Sequence, residues 1–177
     1  MAAASGKTVP DVIGRDLSVL FCGINPGLYT AAVGHHFARP GNRFWLALHG
    51  SGFTDRLLSP FEDAELVRFG VGITNLVRRA TATAAELPRN EISQGARALH
   101  SLAVEQRPAI LVVLGMGAFR TAFSQPRAVL GPQAERIGEA TVWLLPNPSG
   151  LQARYQLPDL VTLFEHVREA AALPRRS

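Results

Sequence analysis

Four apolar runs of strand length limit what this chain can fold into. Leu17–Cys22, Val71–Thr74, Ile110–Leu114 and Thr141–Leu145 are short and rich in β-branched residues, the composition of buried strands. Helical patterns lie between them. Asn42–Leu48 places Phe44, Trp45 and Leu48 on one side behind Asn42, a residue suited to capping. Phe61–Phe69 follows Pro60 and carries acids in its first turn, which favours a helix start. Asn90–Gln106 repeats Ile92, Ala96, Leu99 and Ala103 near a 3.6 period, with Asn90 as the expected cap. Gly117–Phe123 follows the third run, and Leu157–Ala172 repeats Leu160, Leu163, Phe164 and Val167. This alternation predicts an α/β domain in three layers, a mostly parallel sheet of four to five strands with helices on both faces. A weaker strand at Ala134–Ile137 is expected to pair with Thr141–Leu145 across Gly138.

The chain's 177 residues suit one domain, predicted over residues 15–172 between loose tails at 1–14 and 173–177. No apolar run approaches the roughly 20 residues of a membrane span, and the opening residues lack the length and hydropathy of a secretory signal. The single Cys22 excludes an internal disulfide, fits a cytoplasmic setting, and lies inside a strand run where packing is its expected role rather than nucleophilic attack. The formal charge is +4, from seventeen arginines and one lysine against fourteen acids. Guanidinium groups suit phosphate, but a general compositional preference for Arg and Ala explains the same surplus. Charge therefore admits nucleic acid as a partner without establishing it. The lone Lys7, in the expected tail, argues against Schiff-base chemistry.

Two stiff loops follow strand runs. Gly23-Ile24-Asn25-Pro26-Gly27 comes after the first, and Pro146-Asn147-Pro148-Ser149-Gly150-Leu151 after the last. In parallel sheets, ligands bind at the carboxyl ends of strands, so the two loops are the expected lips of one site. Each Asn precedes proline, which pushes its backbone towards extended geometry. A carboxamide is no strong base, but it can orient water and present a fixed dipole. A plain strand-to-helix turn is the alternative for the first loop taken by itself. In the second, Leu151 at the tip of a polar loop suits insertion between base pairs, or else folds back on the core. Between the loops, His35-His36-Phe37-Ala38-Arg39-Pro40-Gly41-Asn42-Arg43-Phe44-Trp45 joins aromatics to cations. Phe37 can stack a planar ligand, and Arg39 and Arg43 can meet phosphates. No spaced ligand set accompanies His35 and His36, so no metal is expected; Trp45 reads as core.

Together these three segments resemble the mismatch-specific uracil-DNA glycosylases, in the thymine-DNA glycosylase branch of the uracil-DNA glycosylase superfamily. The resemblance runs from about Leu17 to Phe164 and includes Gly52-Phe53-Thr54-Asp55-Arg56 and Gly72-Ile73-Thr74. It implies a monofunctional enzyme without a cofactor, acting on double-stranded DNA at G:U and related mismatches; a monomer is the default expectation. It leaves thymine and ethenocytosine open as further substrates. By similarity, Asn25 positions the attacking water. Gly23, Ile24, Phe37 and Asn147 form the base pocket. Gly150, Leu151 and Gln152 enter the duplex gap and face the guanine. Arg39, Asn42, Arg43, Asn75, Ser149 and Arg154 are candidate phosphate contacts. Relatives often carry Lys where this chain has Asn75, and an Arg one position before Arg154.

Neither signature loop holds a carboxylate, so the expected mechanism is dissociative and slow; Asp55, Asp63 and Glu91 are acids that folding could bring closer. A non-catalytic nucleotide- or DNA-binding module is the competing reading, since glycine turns and arginines serve phosphate contacts equally well. Gly115–Arg120 lacks a full dinucleotide fingerprint, and Ser149 lacks a nucleophile elbow.

Overall fold

The computed structural model describes residues 2–151 and 154–176. Five strands form one sheet in the order β2-β1-β3-β5-β4: β1 Val19–Gly23, β2 Val71–Asn75, β3 Ile110–Leu114, β4 Gly131–Ile137 and β5 Ala140–Leu145. The first four in that order are parallel, with Val19 opposite Val71 on one side and Ile110 on the other. β4 runs antiparallel to β5 at the edge, with a register shift between Pro132 and Arg136. The hairpin expected across Gly138 is present and starts three residues earlier than expected.

Strand alternation divides the core. Leu20, Cys22, Leu111, Val113 and Leu144 face one layer with Leu99, Ala103 and Phe119, supplied by α3 (Arg89–Gln106) and α4 (Met116–Ala122). Val19, Phe21, Ile73, Ile110 and Val112 face the other with Phe44, Leu48, Leu160 and Phe164, supplied by α2 (Phe44–Gly50) and α5 (Leu157–Ala170). Phe21 sits at its centre, stacked on Phe164 at 5.1 Å and edge-on to Phe44 at 5.4 Å. Cys22 is fully buried, and burial pushes its thiol far above its usual range, which makes it an inert packing group.

Helix boundaries moved where capping differed from expectation. Residues Pro60–Phe69 form a 3₁₀ segment broken at Glu62, after a reciprocal Ser59–Glu62 capping box. α3 begins one residue before Asn90, with Pro88 at the cap position. Arg43, not Asn42, occupies the cap position of α2, and Asn42 lies one residue earlier, its Oδ1 accepting the Phe44 N–H at 2.9 Å. A short helix missing from the sequence reading, α1 (Leu28–Val33), follows Gly27 directly.

Both expected tails pack on the domain. Ala4 and Val9 are buried, Val12 exchanges two backbone hydrogen bonds with Ile73 (2.8 and 2.9 Å), and Asp11 accepts from Thr74 Oγ1 at 2.8 Å. At the other end Leu173 joins the core and the Arg176 N–H donates to Gly52 O at 2.9 Å. Polar, small-residue segments look unstructured in sequence; backbone pairing, which leaves no side-chain signature, holds them here.

Gly95 of α3 lies so close to the chain leaving β2 that a Cβ there would stand 2.1 Å from the Leu76 carbonyl oxygen. Backbone cannot move aside cheaply. Gly95→Ala is expected to lower unfolding free energy by about 1–3 kcal/mol, read as a fall in denaturant midpoint at unchanged m-value.

Candidate active site

β1 and β3 are neighbours from which the chain departs in opposite directions, to β2 and to the β4–β5 hairpin. The crevice at their carboxyl ends is therefore the natural ligand position of such a sheet. A cleft of about 320 Å³ opens there. It is lined by Gly23–Gly27 after β1, Asn75 at the end of β2, Leu114 at the end of β3, and Asn147, Ser149 and Leu151 after β5. Thr30, His36, Phe37, Arg39, Asn42 and residues 81–84 complete the wall. Asn25, Phe37 and Asn147, far apart in sequence, thus share one cavity.

The Asn25 amide is oriented by its neighbours. Its Nδ2 donates to Arg79 O at 3.1 Å and Thr81 Oγ1 at 2.7 Å. Arg79 O can only accept, and the Thr81 hydroxyl donates onward to Thr83 O at 2.7 Å, so the amide cannot be reversed. Oδ1 has no hydrogen-bond donor among the described residues and is left as an acceptor beside the cleft. Thr81 is buried. It was invisible in sequence because Ala80–Ala84 reads as a small polar loop; only the contact with Asn25, across 56 positions, gives it a role.

A second chain of hydrogen bonds orients Asn75. His36 is buried, and its Nε2 lies 2.8 Å from Pro10 O. That carbonyl requires a proton on Nε2, so Nδ1 is the acceptor and takes the Asn75 Nδ2–H at 3.4 Å. Burial, outweighing nearby Asp63 and Asp11, lowers the His36 pKa below its ordinary 6.5 and keeps the ring neutral. Asn75 Oδ1 is left against Gly23, 2.6 Å from where a Cβ would stand. Asn75, a candidate phosphate contact in the sequence, thus lines the cleft with its amide held between His36 and Gly23. Phe37 stacks on Phe44 at 4.1 Å from a left-handed backbone, φ 52°, a conformation an aromatic residue adopts only under local constraint.

The second lip is built around Arg43. Its Nε and Nη2 donate to Pro148 O (3.3 Å) and Ser149 O (2.7 Å), Nη1 donates to Tyr155 O, and its backbone N–H reaches Pro148 O at 3.0 Å. Arg43, expected to meet phosphate, instead fastens the loop: loop carbonyls need donors, and the guanidinium fork supplies several at once. Asn147 Oδ1 accepts the Ser149 N–H at 3.0 Å and Ser149 Oγ accepts the Leu151 N–H at 3.3 Å. Gly150 backs onto Gly41, whose carbonyl oxygen would lie 2.5 Å from a Cβ, so it shapes the loop without lining the cleft. Leu151 projects at the rim, 75% exposed. Arg39 is exposed at the cleft and makes no ion pair among the described residues. Arg154 lies outside the lining, over the Tyr155 ring. Gln152 lies outside the described residues.

No carboxylate lines the cleft among the described residues. Asp63 accepts from the His36 N–H at 3.2 Å and faces His35 Nδ1 at 3.1 Å. Glu91 is forked to Arg79 at 2.7 and 2.8 Å, and Asp55 borders a separate depression with Arg56 and Arg68. No cluster of three metal-ligating side chains occurs among the described residues.

The family model for the uracil DNA glycosylase superfamily matches residues 10–171, and the chain belongs to that superfamily. Its fold is shared with a candidate uracil DNA glycosylase from Methanosarcina acetivorans solved in solution by NMR, at a TM-score of 0.59 and 16% identity over 92% of this chain and 98% of that one. Membership points to a DNA glycosylase, a hydrolase of N-glycosyl bonds acting on DNA.

Two outcomes follow from these contacts. Gly23→Ala would drive a methyl into Asn75 and the Phe37 ring, 3.3 Å away at its edge, and should abolish nucleobase binding in the cleft, measured by titration calorimetry with free uracil. His36 carries a lowered pKa, so the unfolded chain takes up its proton first on acidification. Stability contributed by neutral His36 is complete above about 6.5 and lost as pH falls towards the folded value. Melting temperature should drop below pH 6.5, and less so in His36→Gln.

Proposed function

We propose that the protein is a monofunctional mismatch glycosylase that removes uracil opposite guanine, with Asn25 delivering the water. The observation that carries this reading is the fixed orientation of the Asn25 amide beside an acid-free cleft. Oδ1 accepts one proton of a water molecule and leaves an oxygen lone pair directed at the sugar C1′ of an extruded nucleotide. The base departs as an anion, the sugar gains oxocarbenium character, and the held water adds to C1′, its released proton passing through solvent to the uracil anion. A positioned general base would add roughly 10²–10⁴-fold; its absence from the cleft wall gives a slow enzyme that gains from the weaker stacking of a mismatch.

The rest of the cleft supports a uracil occupant. Phe37, backed by Phe44, offers a face for stacking. Asn75 Oδ1, held as an acceptor by neutral His36, suits the N3–H of uracil or thymine. Cytosine presents an acceptor at that edge, and an unpaired buried acceptor pair costs about 1–3 kcal/mol. Arg39 is placed for a phosphate of the flipped strand, and Asn147 Nδ2, its Oδ1 used within the loop, for another oxygen of the nucleotide. Leu151 fills the gap that the base leaves. Lys7, the one lysine of the chain, is exposed and outside the cleft, which favours an abasic site as the product, without strand cleavage.

Single-turnover base release from G·U duplexes, with A·U as control, tests the proposal. Asn25→Ala should reduce the maximal rate on the order of 10²–10³-fold, the scale of losing one oriented polar group at a reacting centre, with duplex affinity nearly unchanged. Leu151→Ala should lose roughly tenfold on duplex, about 1.4 kcal/mol, and little on single strands. Wild-type rates in both variants would overturn the roles given to Asn25 and Leu151, and DNA binding without base release in the parent protein would leave only a binding module.

A further inference from the structure

Asn25 is oriented by two acceptors, Arg79 O and Thr81 Oγ1, and the residue between them, Ala80, is held from outside the domain matched by the family model. The Ala80 N–H donates to Lys7 O at 2.8 Å, and Ala80 O accepts the Gly6 N–H at 3.1 Å. Ala4 and Val9 pack with fully buried Ala80 and with Ala31 of α1, and Leu28 lies against the same cluster. α1 starts directly after the Asn25 loop, while the Thr81 N–H bonds Pro26 O at 3.3 Å. One short segment therefore touches both the shelf under the amide and the helix leaving its loop. None of Ala4, Gly6, Lys7 and Val9 lines the cleft.

We propose that residues 4–9 form a strap that positions the Asn25 amide through Ala80; this rests on the role given to Asn25 above. If Ala80 relaxes, Arg79 O and Thr81 Oγ1 separate and the carboxamide can turn over, presenting N–H to the water in place of Oδ1. Misplacement by about 1 Å can cost 10²-fold in rate. Arg79 has a side-chain anchor in its fork to Glu91. Ala80 has no such polar side chain, and its hold is the two backbone bonds and the apolar seat that the strap supplies.

The test uses two variants, the chain lacking residues 2–8 and full-length Val9→Ser, each with Asn25 and with Asn25→Ala. Maximal single-turnover rate on G·U duplex, Kd for that duplex and melting temperature are measured, the assays running well below every melting point. Both strap variants should lose tenfold or more in maximal rate, with Kd within about threefold of the parent. In the Asn25→Ala background the same changes should cause no further loss, the non-additivity of groups that act as one. An equal loss in both backgrounds overturns the strap, because the segment then acts on the whole domain. Parent-like rates in Val9→Ser together with a truncation that cannot fold overturn it too. An active parent with fully active strap variants removes the strap alone; a parent that releases no base removes the strap and the glycosylase reading together.

Discussion

Everything at the cleft depends on one amide having its N–H groups occupied. A carboxamide offers oxygen and nitrogen at opposite corners, and free in water it presents either. With Nδ2 held by a carbonyl and a hydroxyl, Asn25 presents oxygen. Asn75 repeats the device through a neutral imidazole. Two uncharged groups thereby acquire fixed polarity from partners that a sequence motif does not display, and a polar wall forms without a single ionised acid. Fixed dipoles of this kind need no reorganisation when charge develops.

The division of labour among arginines follows from geometry rather than from charge. Arg43 and Arg39 lie four positions apart and read alike in sequence, yet one is folded inward over loop carbonyls and the other stands at the open rim. The inward one had carbonyls to satisfy; the outward one had solvent. Arg168 shows the same logic in the core, buried with its guanidinium on Ser51 O and Leu173 O at 2.8 Å each.

The strand content, the layer arrangement and the pairing of two Asn-Pro loops at one sheet end were legible because apolar runs and proline punctuation are local signals. Asn25, Phe37 and Asn147 meet as their positions after β1 and β5 imply. Thr81, the acceptor role of Asn75 and the inward turn of Arg43 were not legible. Each depends on a partner tens of residues away, and Thr, Asn and Arg are equally at home on a surface. The expected loose ends were misread for a related reason: residues 4–12 dock largely through main-chain groups and small side chains, which carry no hydrophobic period.

The sheet's two borders are closed by different means. At β4, Pro132 and the register shift before Arg136 spoil the regular ladder that another strand would need. At β2 the closure comes from Val12, whose amide and carbonyl take those of Ile73. Neither border is thereby left as an open ladder for a neighbouring chain. Losing the stretch around Val12 would uncover an apolar ribbon edge, and the molecule would begin to stick to its own kind.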